Sequence, residues 1–484
     1  MTAEALARWQ FAITTVYHFM IVPISIGMTV LVASFQTAYY RTRKPECDTA
    51  ARFYGKLVIV LFAIGVATGI VQEFQFGMNW SNYSRFVGDV FGAPLAMEGL
   101  VAFFLESTFL GLWVFGREKL SARLHLASIW LLAAGTVGSA YFILAANSWM
   151  QHPVGWAFNP ETGRAELTSI WALLTNSTQL VTFPHTVFAA FMTAAAVVLA
   201  ISAWHLSRGR QEGEAAALHW RMHTKAARVS AAVVLLAGIG VSAVGHAQGQ
   251  IMTDQQPMKM AAAEALWETT DRASFSLLTI GDEQAFESRY EIAIPGGLSL
   301  LAENDVNARV EGIRDLQAQA VAEHGEGDYV PIVWLAYWTF RLMIGFGVVS
   351  MLLAGLVLVQ MWRGRLPESR RLLRLSCWGA LLPLGANAAG WIFTETARQP
   401  WLVFGILKTE DGISPGVSVT EVAGTLIGST LIYTVLGVVA VRLFLRIGRS
   451  GPVTPTGDAD PWLSPVPSTA TDPDGTGREP VLVD

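Results

Sequence analysis

Charged side chains are scarce in this chain: Asp, Glu, Lys and Arg make up 15% of its 484 residues, whereas 52% are hydrophobic. Soluble globular proteins carry about 25% charged residues, so the composition excludes an ordinary soluble enzyme and predicts a polytopic membrane protein. The net charge of −5 says little about a membrane protein, and the expected surroundings are membrane lipid, with no nucleic acid partner.

Cysteine is also scarce, because Cys47 and Cys377 are the only two in the chain. Both are predicted on the cytoplasmic side, where disulfides are rare, so we expect neither a structural disulfide nor a cysteine-based metal site. A cleavable signal peptide is not expected either, because the N-terminal region runs directly into the apolar segment 11–40.

Long hydrophobic runs are what the sequence has in abundance. A membrane crossing needs about 20 apolar residues, and the runs are continuous rather than alternating, which favours helices over a β-barrel. The predicted fold is therefore an all-α helical bundle with about nine crossings. The predicted spans are 11–40, 53–72, 94–116, 124–146, 182–204, 228–246, 331–361, 375–396 and 419–441.

Basic residues are distributed unevenly between the connections. Most of the 33 Lys and Arg residues follow the first, third, fifth, seventh and ninth spans. The positive-inside rule makes those connections cytoplasmic, with the N-terminus outside and the C-terminus in the cytoplasm. We therefore predict helices 1–6 over 1–246, an external loop over 247–330, helices 7–9 over 331–449 and a disordered cytoplasmic tail over 450–484. Within the loop, Met258–Arg272 and Glu303–Glu323 are predicted helices.

Several ionisable side chains interrupt the apolar runs, and this orientation puts them in the outer half of the membrane. Ionisable groups at that depth are costly and usually functional. Glu98 and Glu106 lie about 80° apart around one helix and share one side of it. The full set drawn together from five spans is His18, Glu98, Glu106, His185, Arg341, Met343, Glu395 and Arg398.

The residue types in this set suit haem. His and Met together are a low-spin ligand pair, and a lone His or carboxylate leaves a coordination position open. Arg341 and Arg398 suit the propionates, and Glu98 with Glu106 suits proton transfer. Each residue also has an ordinary interpretation: a single buried His or Met is more often packing. The joint pattern at one depth is what favours a cofactor site.

Five motifs resemble those of subunit I of the cytochrome bd-type quinol oxidases, in the branch with a short external quinol loop. They stand in the family's order and cover roughly residues 1–449. Ala397 departs from the family's usual Gly and keeps a small residue there. The motifs are Pro94–Ser107, Phe183–His185, Lys259–Glu264, Phe340–Met343 and Gly390–Trp401.

The resemblance implies three haems. His185 and Met343 would ligate low-spin haem b; His18 with Glu98 would flank one high-spin haem, and Glu395 would ligate the other. Family members differ in which of these two positions holds haem d and which holds high-spin haem b, so both assignments stay open. The remaining implied roles are haem packing for Trp391, a proton path for Glu106 and Ser107, and quinol binding for Lys259 and Glu264.

The implied activity is that of a terminal respiratory oxidase in the bacterial plasma membrane. Quinol would be oxidised at the outer face and oxygen reduced to water with cytoplasmic protons, generating proton motive force without pumping. A second membrane subunit, and in many members a small single-helix subunit, would be partners. Two alternatives stay open: a transporter using Glu98, Glu106 and Glu395, and a b-type cytochrome that only transfers electrons.

Overall fold

The computed structural model describes residues 2–450 apart from 283–286, 365, 367 and 368. In this part of the chain eight helices are long and apolar enough to cross a membrane. They are α1 (Ala3–Thr42), α2 (Pro45–Met78), α3 (Ser81–Phe115), α4 (Ala122–Gln151), α6 (Ser177–Ser207), α7 (Glu214–Gln255), α11 (Val333–Trp362) and α14 (Val419–Ser450).

The remaining helices are shorter. They are α5 (Ile170–Leu174), α8 (Pro257–Glu264), α9 (Gly297–Glu303), α10 (Ile313–His324), α12 (Arg370–Trp378) and α13 (Leu381–Thr396). The predicted span 375–396 is thus divided between α12 and α13, which are separated at Gly379. With 16 residues, α13 is shorter than a typical crossing helix, and the count of nine crossings stays a prediction.

Polar side chains fix the starts of several long helices. Thr2, Ser121 and Asn176 accept hydrogen bonds from backbone N–H groups in the first turns of α1, α4 and α6. These caps satisfy donors that the helix itself leaves unpaired. Within the bundle, α1 packs against α2, α6 and α14, while α6 packs along α7 and α11 packs along α13.

The helix α3 contains one π-helical segment, Glu98–Phe103, between two α-helical parts. Such a segment is rare and occurs mostly at functional sites, because it displaces side chains from the regular helical positions. Both predicted acidic residues of the third span, Glu98 and Glu106, lie at or just after it.

Four small antiparallel sheets complete the fold within the described residues. The largest is the hairpin of β4 (Phe275–Asp282) and β5 (Glu287–Ile294) in the predicted external loop. The other strands are β1 (Trp156–Asn159), β2 (Arg164–Leu167), β3 (Thr270–Asp271), β6 (Arg309–Val310), β7 (Trp401–Val403) and β8 (Leu407–Lys408).

Both predicted loop helices were too long. The first ends at Glu264, because Ala265 adopts the left-handed conformation with φ 49° and the chain then enters β3. The second begins only at Ile313, because Asn304, also left-handed, ends α9 and is followed by a turn and β6. The β4–β5 hairpin was not predicted. The predicted domain bounds stay predictions, and the tail 451–484 lies outside the described residues.

Candidate functional site

Side chains from α1, α3 and the end of α13 enclose a largely apolar cavity of about 1160 Å³. Six of the residues singled out from the sequence line it, although up to 380 positions separate them along the chain. They are His18, Glu98, Glu106, Trp391, Glu395 and Arg398. A space of this size exceeds that of typical small-ligand pockets and suits more than one flat macrocycle.

His18 is held by one neighbour on α2. Its Nδ1 lies 2.8 Å from Oγ1 of Thr68, and that hydroxyl donates its own proton to the carbonyl of Ile64. In that arrangement Thr68 accepts a hydrogen bond from the Nδ1–H of His18. This tautomer leaves the lone pair on Nε2, the arrangement that a metal-binding histidine requires.

Glu395 is held from two sides. Asn147 on α4 donates to Oε1 at 3.0 Å, and Arg398 donates to Oε2 at 2.7 Å. Arg398 is itself buried, and its Nη1 has no hydrogen-bond partner among the described residues. A buried guanidinium with one free donor fits an additional anion, such as a carboxylate of a bound cofactor.

The acidic residues of α3 differ in their surroundings. Glu98 accepts a hydrogen bond of 2.7 Å from Ser139 on α4. Glu106 is buried, and a Cβ placed on Gly135 would lie 2.9 Å from its Cγ, so only glycine leaves room for this carboxylate. Both acids line the same cavity, and no cation of the described residues is ion-paired with either.

The structure does not bring Ser107 into this group. Its side chain is exposed at the surface of α3, and its hydroxyl donates to the carbonyl of Phe103, one turn earlier. The sequence placed Ser107 beside Glu106, but consecutive helical residues point about 100° apart. Its part in a proton path stays a prediction.

His185 and Met343 lie outside the cavity, in a tightly packed region. They belong to α6 and α11, and these helices form a ring of contacts with α7 and α13. Glycines face both side chains: a Cβ on Gly245 would lie 3.2 Å from Cε1 of His185, and a Cβ on Gly390 would lie 2.7 Å from Sδ of Met343.

The residues of this packed region fit haem. Nδ1 of His185 is buried and has no partner among the described residues, which is unusual for a polar atom in a protein interior. The two glycines keep space free beside the two candidate ligand atoms. A histidine with an unused nitrogen on α6 and a thioether on α11, two helices joined through α7 and α13, are a suitable donor set for low-spin iron.

A third cluster lies where the predicted external loop meets the bundle. Glu264 forms an ion pair of 2.5 Å with Arg341, which also donates to the carbonyls of Ala263 and Ser276. Arg341 is therefore bound to the loop, whereas the sequence had suggested a cofactor propionate. Lys259 donates to Gln151 at 3.0 Å and to the carbonyl of Thr394 at 3.1 Å, next to Glu395.

Burial changes the proton affinities of this loop cluster. It lowers the pKa of Lys259 to about 7, an effect increased by Arg398 and opposed by Glu395. It also raises the pKa of Glu264 to about 7, although the Arg341 guanidinium acts in the opposite direction. Both groups thus exchange protons near neutral pH, which suits side chains that handle a substrate proton.

Sequence reasoning missed the residues that hold the candidate ligands in place. Thr68, Ser139, Asn147 and Gln151 each make one of the hydrogen bonds described above. A polar residue in an apolar span was the available signal, yet the chain has many such residues. Only the packing of helices shows which of them meets a ligand.

Comparison with known proteins decides the family. A model of the family described as "Cytochrome bd terminal oxidase subunit I" matches residues 6–452. The chain belongs to that family. It is therefore a subunit of a quinol:oxygen oxidoreductase of the respiratory chain and a multi-pass protein of the bacterial plasma membrane, and membership implies haem cofactors and a partner subunit.

Three relatives of this oxidase subunit show how far the similarity extends. "Cytochrome bd ubiquinol oxidase subunit 1" of Bacillus subtilis is 43% identical over 454 residues, covering 93% of this chain and 94% of the relative. "Cytochrome bd-II ubiquinol oxidase subunit 1" of Escherichia coli is 36% identical over 504 residues, covering 92% and 96%. The bd oxidase structure from Geobacillus thermodenitrificans aligns with TM-score 0.84 at 27% identity, covering 93% of this chain and 99% of that chain.

These findings confirm the resemblance drawn from the five motifs and the all-α membrane fold. They also decide against the two alternatives, a transporter and a cytochrome that only transfers electrons, because the family consists of oxidase subunits.

Proposed function

We propose that this oxidase subunit oxidises quinol beneath the external loop, at the outer membrane face, and supports reduction of oxygen to water in the cavity with protons taken from the cytoplasm. The observation that carries the proposal is the link between the two places: Lys259 of the loop donates to the carbonyl of Thr394, whose neighbour Glu395 lines the cavity. The proposed quinol site and the proposed oxygen site are thus connected through the adjacent residues Thr394 and Glu395.

The proposed cofactor positions follow the donor sets. His185 and Met343 would hold low-spin haem b, while His18, near Glu98, and Glu395 would hold the two high-spin haems, one of type b and one haem d, with Trp391 packed between them. Arg398 would pair with a haem carboxylate through its free Nη1. When bound, haem supplies one-electron redox chemistry and, at a high-spin centre, an open position for oxygen.

At the loop cluster, the protein residues bind quinol and accept its protons. One carboxylate oxygen of Glu264 is bound by Arg341, and the other, Oε1, is buried and has no partner among the described residues. That oxygen is suited to accept the proton of a quinol hydroxyl, and Lys259 is suited to hold the second oxygen of the head group. Protons lost here would be released outside.

In the cavity, Glu106 and Glu98 would deliver protons that come from the cytoplasm. They lie eight residues apart on one helix, and both line the space in which oxygen would be reduced. Because quinol protons leave outside and water protons arrive from inside, charge separates across the membrane without a pump. A second membrane subunit would complete the path at the exposed face that carries Ser107.

The first experiment is a reduced-minus-oxidised visible spectrum of the purified membrane complex, with and without carbon monoxide. The proposal predicts b-type bands together with a red chlorin band that shifts with carbon monoxide. Bands of b type alone, unmoved by carbon monoxide, would contradict the proposed oxygen site.

A second measurement tests the direction of the protons. In proteoliposomes of known orientation, quinol oxidation is expected to release outside only the protons carried by quinol. Release of more protons than quinol supplies would show pumping and contradict that part of the proposal.

A further inference from the structure

The β4–β5 hairpin has its polar and apolar faces reversed relative to a hairpin on a soluble domain. One face consists of Ile280, Tyr290, Ile292 and Ile294, which together with Leu277 are 45–57% exposed. We name the first four residues the hairpin face. On the opposite face Ser276 and Thr279 are buried, at 0% and 5% exposure. In water the apolar face of a two-sided strand pair turns inward, so this arrangement indicates a non-aqueous surrounding.

The strand register shows that the hairpin face is one continuous surface. Ile280 pairs with Tyr290, Leu278 with Ile292 and Phe275 with Ile294, and paired residues point to the same side. Ser276 pairs with Ala293, and Thr279 with Glu291, on the other side. The register shifts between Ser276 and Leu278, so Leu277 has no paired residue, as in a bulge. On both sides of this shift, the apolar pairs stay on one face of the hairpin and the polar residues Ser276 and Thr279 on the other.

The root of the hairpin lies alongside the outer part of a spanning helix. The carbonyl of Ser276 accepts from Nε of Arg341 at 2.8 Å, and its hydroxyl lies 2.8 Å from that of Tyr337. Tyr337 and Arg341 come four and eight residues after Val333, the first residue of α11, or about 6 and 12 Å along the helix axis. The root therefore packs beside the first turns of α11 rather than beyond its N-terminal end.

Two residues of the hairpin face lie close to the root along the strands. Ile292 pairs with Leu278, which is two residues, or about 7 Å, beyond Ser276, and Ile294 pairs with Phe275 beside the root. At the same end of α11, Trp334 and Trp338 are exposed by 58% and 39%. Exposed tryptophans at the end of a spanning helix are typical of the layer of lipid head groups.

We propose that the hairpin face lies in the boundary between lipid head groups and acyl chains. Its occupant is lipid, because the face is continuous in depth with the exposed apolar surface of α11 and consists of aliphatic and aromatic side chains. One consequence rests on the proposed function: a lipid-soluble quinol would reach Glu264 along the hairpin without crossing water.

The test places a fluorescent probe on each side of one strand. In a Cys377→Ser background, where Cys47 is fully buried, Ile292→Cys and Glu291→Cys are labelled with bimane, and the complete oxidase is reconstituted into nanodiscs. Lipids with a nitroxide near the head group are expected to quench the probe at position 292 several-fold more than at 291. Aqueous iodide is expected to give the opposite order.

Two results would overturn the proposal. Equal quenching at both positions by the lipid nitroxide would show that the hairpin face is not in lipid. A probe at 292 shielded from both lipid nitroxide and iodide would show that a protein partner covers the face. Neither result depends on turnover, so the proposal is tested separately from the proposed function.

A second pair of variants tests the consequence for quinol, after unchanged visible spectra have shown that the protein is assembled. Ile292→Asp is expected to raise the KM for a long-chain quinol in nanodiscs several-fold and to leave the KM for a short, water-soluble quinol unchanged. Glu303→Lys, a charge change at an exposed position of the same loop away from the hairpin, is the control. An equal rise for both quinols in Ile292→Asp would overturn the role of the hairpin as a lipid route.

Discussion

The cavity around His18 and Glu395 and the packed region around His185 and Met343 both carry candidate haem ligands, but they are built differently. The cavity is spacious and is lined by four carboxylates, Glu73, Glu98, Glu106 and Glu395, of which only Glu395 is ion-paired among the described residues. In the packed region glycines bring helices close to the ligand atoms, and of the two candidate ligands, His185 and Met343, only the histidine can titrate. Under the proposed function, protons are needed in the first region, whereas the second has only to transfer electrons.

Replacing Met343 with Leu is expected to have the largest effect. Leu keeps the volume of the side chain and so preserves packing, but it removes the sulfur that would ligate iron. Quinol oxidation should be lost together with the low-spin bands, while carbon monoxide binding in the cavity remains. The measurement is the visible spectrum of the purified variant, and a retained low-spin band would exclude Met343 as a ligand.

Replacing Glu264 with Gln is expected to lower quinol turnover by about 10²-fold, the usual contribution of a general base. Because burial raises the pKa of Glu264 to about 7, the carboxyl is increasingly protonated below that pH and cannot accept a proton. Thus kcat/KM should fall in the native enzyme as the pH decreases through 7, and this acidic limb should be absent in the variant. Glu303→Gln, a carboxamide change at an exposed position of the same loop, is the control.

Replacing Glu106 with Gln is expected to slow oxygen reduction by about tenfold to 10²-fold while all three haem signals remain. The amide has the same shape and fits beside Gly135, but it cannot release a proton. Stopped-flow oxidation of the reduced enzyme measures the step, with Glu118→Gln at an exposed position as the matched control. Loss of haem on this change would argue for a structural rather than a proton-transfer role.

Replacing Ser139 with Ala is expected to have the smallest effect. It removes one hydrogen bond to Glu98, worth about 1 kcal/mol, which corresponds to about a fivefold loss of turnover. The packed region is not touched, so the low-spin bands should be unchanged. A change in the low-spin spectrum would show that the two regions are coupled more closely than their separation indicates.

Much of the fold was accessible from the sequence, because a membrane crossing needs a long local run of apolar residues. The structure differs from the prediction at two places where the length of an apolar run does not decide the local structure. Gly379 divides the predicted eighth span, and the predicted external loop contains an unpredicted hairpin between two helices that are shorter than predicted. Short amphipathic segments carry weaker local signals than apolar runs, and contacts with the bundle decide their structure.

For the candidate site, the sequence supplied most ligand-type residues but not their partners. Arg341 was assigned to a cofactor carboxylate, yet it binds Glu264 and two loop carbonyls. Thr68, which forms a hydrogen bond with Nδ1 of His18, was not singled out at all. Both facts depend on which helices are neighbours, and hydropathy does not encode that.

By itself, the sequence determined that this protein is a helical membrane protein, which residue types lie at membrane depth and, through five motifs, which family it belongs to. These properties follow from local composition and spacing. The tertiary structure alone decided that six distant residues share one cavity, that Ser107 points away from it, and that the β4–β5 hairpin turns its apolar face outward. Such outcomes depend on contacts between residues far apart in the chain, because burial and hydrogen-bond partners are properties of the packed bundle and not of any single segment.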